Sequence, residues 1–349
     1  TMVGEYAHGI LAQSIGGGGG NGATNISGQF SKASGKADDA GGNTDISIVV
    51  GVGGSGGDGA KSGDVSVTQL GEIITKGDHS RGIFAQSISD GGGVGGLNVS
   101  ALLATKTSPI MVGVGGSGGD GASAGNVAIY RGDANTDAGA IVTDGLGAHG
   151  IEASTISGGG GDAGANFVFG VTQASSRPGK AGFSANIGIG GGGGQAADAA
   201  AAWVDNNSNI ATLQDQSHGI FAQSIGGGGG NANFNVALNI AKGGSKPEEA
   251  NGTKSVSIAV GGATGDGGNG GQVDAYHRGD ITTLGNVSYG VLAQSIGGGG
   301  GNAGLDFNMI LADGGKLGVK IGREGGTGGH AGTVTLDSNG TIITRGDTS

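Results

Sequence analysis

Several residue groups in this chain could do chemistry. Aspartates close the runs Gly53-Gly54-Ser55-Gly56-Gly57-Asp58 and Gly115-Gly116-Ser117-Gly118-Gly119-Asp120. Such turns resemble pieces of calcium-binding nonapeptide repeats, in which oxygen ligands from consecutive stacked turns surround the ion. Asp58 and Asp120 are thus weak calcium candidates. The turn comes only once per repeat, and the aspartate is missing where the chain reads Gly191 to Gln195, so glycine-rich corners are the expected role. His8, His149 and His218 share one repeat position, which invites a metal reading. If each repeat made about three coils, equivalent residues would stand roughly 14 Å apart, whereas zinc ligands lie about 2 Å from the ion. Arg81 and Tyr289 hold the same place in other repeats, so exposed turn residues are expected, with no metal set and no cofactor.

The tripeptide read by integrin-type receptors appears as Arg131-Gly132-Asp133, Arg278-Gly279-Asp280 and Arg345-Gly346-Asp347, with Lys76-Gly77-Asp78 as a variant. Turns favour Gly and Asp for backbone reasons. The first two copies precede an Ile-x-Thr segment and the third follows one, so they are weak binding candidates and not one repeated site. Catalysis on a polysaccharide would need acids and bases converging in one groove. The acidic residues are instead scattered through turns, as at Asp38-Asp39 and Glu248-Glu249. There is no Gly-x-Ser-x-Gly or His-Glu-x-x-His motif, and the polyglycine lacks the Lys-Ser/Thr ending of a phosphate loop. No enzyme is expected. The alternative is a carbohydrate-active β-helix of lyase or hydrolase type, whose mark would be a groove of carboxylates with an Arg or Lys.

The elements that carry these residues are repeats. The block Ala7-His8-Gly9-Ile10-Leu11-Ala12-Gln13-Ser14-Ile15 is followed by Gly16 to Gly20 and recurs at Ser80, Ala148, Ser217 and Ser288. The shared glycines Gly9, Gly82, Gly150, Gly219 and Gly290 stand 73, 68, 69 and 71 residues apart. The units run approximately 7–79, 80–147, 148–216, 217–287 and 288–349, with 1–6 as the tail of a preceding unit. Each holds short β-branched runs bounded by Gly, Asn and Asp, the signature of strands. Helix is disfavoured because each interior glycine costs about 1 kcal/mol, although Gln195 to Trp203 could make one helical turn. The expected fold is all-β: a single right-handed parallel β-helix of five repeats over residues 1–349, with coils of roughly 20–25 residues. Polyglycine is expected in turns or irregular crossings, and loops of unequal length on one flank. At the position after Gly-Ile the repeats carry Leu11, Phe84, Glu152, Phe221 and Leu292. The Glu predicts an outward face there, with Ile10, Ala12 and Ser14 inward.

Composition agrees. Glycine makes up 89 of 349 residues, yet 35% are hydrophobic and only 13% charged, so the chain should fold and not stay disordered. The net charge of −11 argues against nucleic acid. No apolar run approaches the roughly 20 residues that cross a bilayer as a helix. No cysteine is present, in keeping with export, and export signals or a membrane anchor are expected outside this segment.

The pattern Gly-x-Ile-x-Thr, a short turn, then Ser-x-Gly-Ile-x-Ala-Gln-Ser-Ile and polyglycine resembles the passenger repeats of large type V autotransporters of Gram-negative bacteria, over nearly the whole chain. The resemblance implies export to the cell surface through an outer-membrane barrel lying elsewhere in the parent. It also implies a β-helical passenger acting as an adhesin or in biofilm, with a host surface, glycan or neighbouring cell (self-association included) as partner. Residues 342–349 match 73–80, which directly precede a Gly-Ile-Phe-Ala-Gln-Ser strand, so further units are expected in both directions.

Overall fold

A computed structural model describes residues 1–33, 45–132, 136–173, 182–243 and 253–349. Over the described residues the chain is an all-β parallel solenoid without helix. Its strands form five sheets, called first to fifth in chain order from Met2–Val3, Ile10–Ile15, Asn25–Lys32, Ile46–Val52 and Val65–Thr68. Every pairing is parallel and joins equivalent residues of successive repeats, for example Ile10 to Ile83, Ile83 to Ile151 and Ile151 to Ile220. One repeat is therefore one coil, not three. The expected coil of roughly 20–25 residues is corrected to the full repeat, and equivalent side chains stand about 4.8 Å apart.

The glycine blocks explain the long coil. They are extended crossings, not turns. Gly16, Gly19 and Gly22 donate to Ile88, Gly91 and Val94 of the next coil, while Gly54, Gly57 and Ala60 donate across to Ala23, Gly20 and Gly17. Bonding at every third residue is the period of a polyproline-II-type helix, which makes no internal hydrogen bonds and must find partners outside itself. Each coil thus sends one glycine arm out and a second back, and the arms knit into a slab. The slab sets which residues fit. A Cβ on Gly161 would overlap the Gly93 carbonyl, whereas one on Gly228 meets nothing closer than 3.7 Å. The outward third position takes side chains, and Ser55, Asp58, Lys61 and Asp64 follow that spacing. Gln195 to Ala201 lies in the same extended arm, with Ala196 donating to Asp266 and Ala199 to Asn269, so the expected helical turn is absent.

The two ends of the coil are built on opposite principles. Where the first, second and fifth sheets meet, apolar residues point inward, as at Ile83, Ile129, Ile141, Ile151 and Ile220, all fully buried. The inward assignment of Ile10, Ala12 and Ser14 holds, since their equivalents Ile83, Ala85 and Ser87 are at 0% exposure. Beyond the slab, the third and fourth sheets face each other over many polar residues, with a small apolar cluster of Val49, Leu102, Ala104, Met111 and Val168 among them. Asn98, Ser100, Asn166, Ser184, Asn186, Asn235 and Ser257 are buried there. Asn25, Asn98, Asn166 and Asn235 form a ladder, each amide nitrogen donating to the next side-chain oxygen at 2.7, 2.7 and 2.9 Å. The outer faces are apolar, with Leu103 46%, Val171 41% and Ile189 36% exposed. The strand ends that flank the five connections between these sheets, at Lys32 and Ile46, Thr105 and Ser108, Gln173 and Phe183, Lys242 and Lys254, and Ala312 and Lys316, lie at the same end of the coil.

The two glycine classes should separate in a melt. Gly161→Ala is expected to destabilise the chain by at least about 2 kcal/mol through backbone overlap, and Gly228→Ala to change stability by less than about 0.5 kcal/mol. Equal melting temperatures for the two variants would refute the assignment of glycine-only positions.

Candidate functional site

The richest cluster of titratable groups sits at the corner between the first and second sheets. Its backbone is fixed the same way in each coil. Thr75 Oγ1 donates to the Ser80 carbonyl at 2.6 Å, and Thr143, Thr212 and Thr283 repeat the bond to Ala148, Ser217 and Ser288. The corner turns through a left-handed residue, His79 at φ 57°, Gly147 at 64°, Gln216 at 55° and Val287 at 54°. Next comes the ladder His8, Arg81, His149, His218, Tyr289. The His149 and His218 rings stack at 4.7 Å and 3°, and His218 stacks on Tyr289 at 5.1 Å. The expected separation of these histidines by roughly 14 Å is thereby corrected, because a repeat is a single coil.

Each ladder histidine is committed to the backbone. His8, His149 and His218 accept, through Nδ1, the N–H of Arg81, His218 and Tyr289 at 3.2, 3.0 and 3.0 Å. An acceptor Nδ1 fixes the neutral tautomer with its proton on Nε2. Burial reinforces this. The His149 pKa is lowered to about 3, first by desolvation, then by His218, Arg81 and His79. Burial also lowers His218, and lowers His8 with help from Arg81.

The third repeat departs from the others here. Glu152 stands where the others have Leu or Phe, on the outward side of its strand as expected, yet it is buried beneath the corner. Arg81 Nε pairs with Glu152 Oε2, and the guanidinium lies 4.4 Å over the Phe84 ring. Burial raises the Glu152 pKa and Arg81 opposes the shift. Gly147 leaves the adjoining ladder without a side chain, which opens a groove of about 350 Å³ lined by His79, Arg81, Gly147, His149, Gln216, His218 and Val287. This lining carries no carboxylate. The Arg81–Glu152 pair escaped sequence reasoning, yet two departures at neighbouring positions of consecutive repeats were its signal.

The residues singled out from sequence have structural partners. Asp58 and Asp120 do not converge on an ion site. Their carboxylates accept the N–H of Asp120 and Gln195 in the next coil at 2.9 and 2.7 Å, and Asp266 does the same for Thr327. The bonds from Thr327 hold the Asp266 carboxyl below its ordinary pKa. Among the described residues no group of three or more His, Asp or Glu could hold a metal.

The Arg-Gly-Asp copies occupy dissimilar settings. Arg131 is fully buried, bonded to Gln69, Ser208 and the Gly71 and Gly139 carbonyls, and burial lowers its pKa to about 10. Gly132 has φ 74°, and Asp133 lies outside the described residues, as do Asp38-Asp39 and Glu248-Glu249. Arg278 pairs with Asp205 at 2.7 Å, Gly279 has φ 132°, and Asp280 accepts the Thr341 N–H. Arg345 and Asp347 are exposed, flanking half-buried Gly346, and Asp347 donates its N–H to Asn286. A buried arginine cannot be offered to a receptor, so the Arg131 copy is corrected to an internal tie.

The corner should be acid-sensitive. Burial disfavours protonation of His8, His149 and His218 in the fold, whereas they protonate near pH 6.5 when unfolded, so below that pH the unfolded chain binds more protons. Stability is then complete at neutral pH and falls as pH drops from 6.5 toward about 3, the value for His149. Gln can accept the same N–H, so His149→Gln should reduce the slope of stability against pH by about 1.4 kcal/mol per unit. An unchanged slope between pH 4 and 6, measured by denaturant titration, would refute the account.

No protein-family description, curated protein or solved structure matches this chain.

Proposed function

We propose that the chain is a structural and adhesive segment of an exported bacterial surface protein, similar to an autotransporter passenger, acting as a stiff stalk that holds loops of varied length away from its core. The observation that carries this reading is the one-repeat-one-coil register. Every coil bonds to its neighbours through the same positions, and variation in length gathers in the connections between the third and fourth sheets. Such a scaffold keeps its contacts while loops change, the arrangement in which binding surfaces are carried on rigid frameworks. The partners that fit are a host surface, a glycan or a neighbouring cell, with localisation at the cell surface.

The alternative, a carbohydrate-active β-helix, would use two cooperating carboxyl groups in a groove, whereas the residues lining this groove include no carboxylate and the nearby Glu152 is engaged by Arg81. A carbohydrate-active reading therefore gains no support from the groove lining.

Shortening segments 33–45 and 243–253 to the length of the Lys106-Thr107 connection tests the proposal. With the parent displayed on cells, the shortened form should keep its melting temperature within a few degrees and lose at least tenfold in adhesion to host cells or glycan-coated surfaces. Unchanged adhesion would remove the loops from the function. Turnover of a polysaccharide by the purified chain would replace the proposal with the enzymatic one.

A further inference from the structure

Beyond the glycine slab the outer faces of the third and fourth sheets are apolar, although many of the residues between these sheets are polar. In the third sheet the outward positions are Ile26, Gly28 and Phe30, then Val99, Ala101 and Leu103, then Phe167, Phe169 and Val171, then Val236, Leu238 and Ile240, then Phe307, Met309 and Leu311. In the fourth sheet, three outward positions per coil run through Ile48, Val50 and Val52, with Ile110, Val112 and Val114 next, and continue as Ile, Val, Leu and a single Ala to Ile321. None of these positions carries a charge or a hydrogen-bonding group. The inward positions hold the Asn ladder and its serines together with a small apolar cluster of Val49, Leu102, Ala104, Met111 and Val168. Five strands about 4.8 Å apart, each apolar over about 20 Å, make each outer face on the order of 500 Å². Each face matches the largest apolar patch of an ordinary soluble monomer, about 300–600 Å², and this molecule carries two.

We infer that these two faces are the surfaces through which copies of this chain pack side by side, apolar sheet on apolar sheet. The inference deepens the structural reading above and rests on it. The area fits. One face from each of two copies buries on the order of 1,000 Å², the threshold for a specific interface, and each further coil adds to it. The composition fits too. Interfaces with unrelated proteins carry about one hydrogen bond per 100–200 Å², whereas these faces offer no side-chain donor or acceptor, and copies of one chain form the more apolar interfaces. A bilayer fits less well. The apolar band of about 20 Å falls short of the ~25 Å band of membrane barrels, and the exposed Lys32, Lys242 and Lys254 stand at its far edge. The net charge of −11 also opposes an anionic membrane. Because the two faces lie on opposite sides of the coil, pairing through both extends an open lateral array and does not close a dimer.

Sedimentation velocity and chemical trapping test this on the whole chain. The unmodified chain should form species larger than dimers whose size grows with concentration. A third-sheet variant (Leu103→Glu with Leu238→Glu) or a fourth-sheet variant (Val112→Glu with Ile258→Glu) should stop at dimers, and the four-fold variant should be monomeric with an unchanged circular dichroism spectrum. Since the chain has no cysteine, Leu238→Cys and Val112→Cys give a second readout free of folding risk. Mild oxidation should cross-link these, alone or mixed, at least tenfold faster than Ser66→Cys at the opposite end. A strictly monomeric chain, or cross-linking no faster than at Ser66, would overturn the inference. Flotation of monomeric chain with phosphatidylcholine vesicles would overturn it in favour of lipid. A monomeric chain that still promotes loop-dependent adhesion would reject the lateral packing and leave the stalk standing.

Discussion

The backbone hydrogen bonding of the glycine arms is the constraint on which the rest depends. An extended arm with three residues per turn has no bonds of its own, and a buried amide left without a partner costs about 1–3 kcal/mol. The slab satisfies these groups by close approach from the coil before, the coil after and the returning arm. Glycine predominates at two positions in three, where most added Cβ atoms would overlap neighbouring backbone, and alanine takes some of the others, as at Ala60, Ala196 and Ala199. Once the arms are fixed, the strands at either end are held in register, and so are the corner ladders and loop connections built on them.

The same demand explains the polar side chains along the outside. Asp58, Asp64, Asp78, Asp162, Asn209 and the ladder histidines all accept a backbone N–H from the following coil. Much of the negative charge is therefore spent on the solenoid's own amides. That accounts for carboxylates which look like ion ligands in the sequence and behave as backbone caps in the fold. Arg131 in turn, among the described residues, bonds to carbonyls, an amide and a hydroxyl.

The parallel solenoid was legible in the sequence because two periods coincide, alternation within Ile83–Ile88 and recurrence of that strand at nearly constant spacing. The number of coils per repeat was not legible, because a 70-residue period fits one long coil or several short ones. Glycine blocks read as turns by habit, and the signal against turns was the three-residue spacing of Ser55, Asp58, Lys61 and Asp64. At the corner, alternation placed residue 152 outward but could not show that Arg81 and the histidines would close over it. Asn235-Val236-Ala237-Leu238-Asn239-Ile240 shows two faces plainly, yet alternation alone does not say which is inside. The glycines of the facing strand decide it: a Cβ on Gly113 or Gly188 would crowd the Asn166 and Asn235 amides, so the small residues and the amides share the interior.

The sameness of the Asn ladder from coil to coil bears on how such a chain changes over generations. Asn98 meets Asn166 as Asn166 meets Asn235, so losing or gaining one whole repeat here brings like against like, and this ladder closes again. Loss of a single residue inside a strand is far worse, since it turns each following side chain to the opposite face. Copy number is thus the freely variable property of this architecture, and strand length the guarded one. Recombination between repeats can lengthen or shorten the molecule in steps of about 4.8 Å while leaving the chemistry of each step intact.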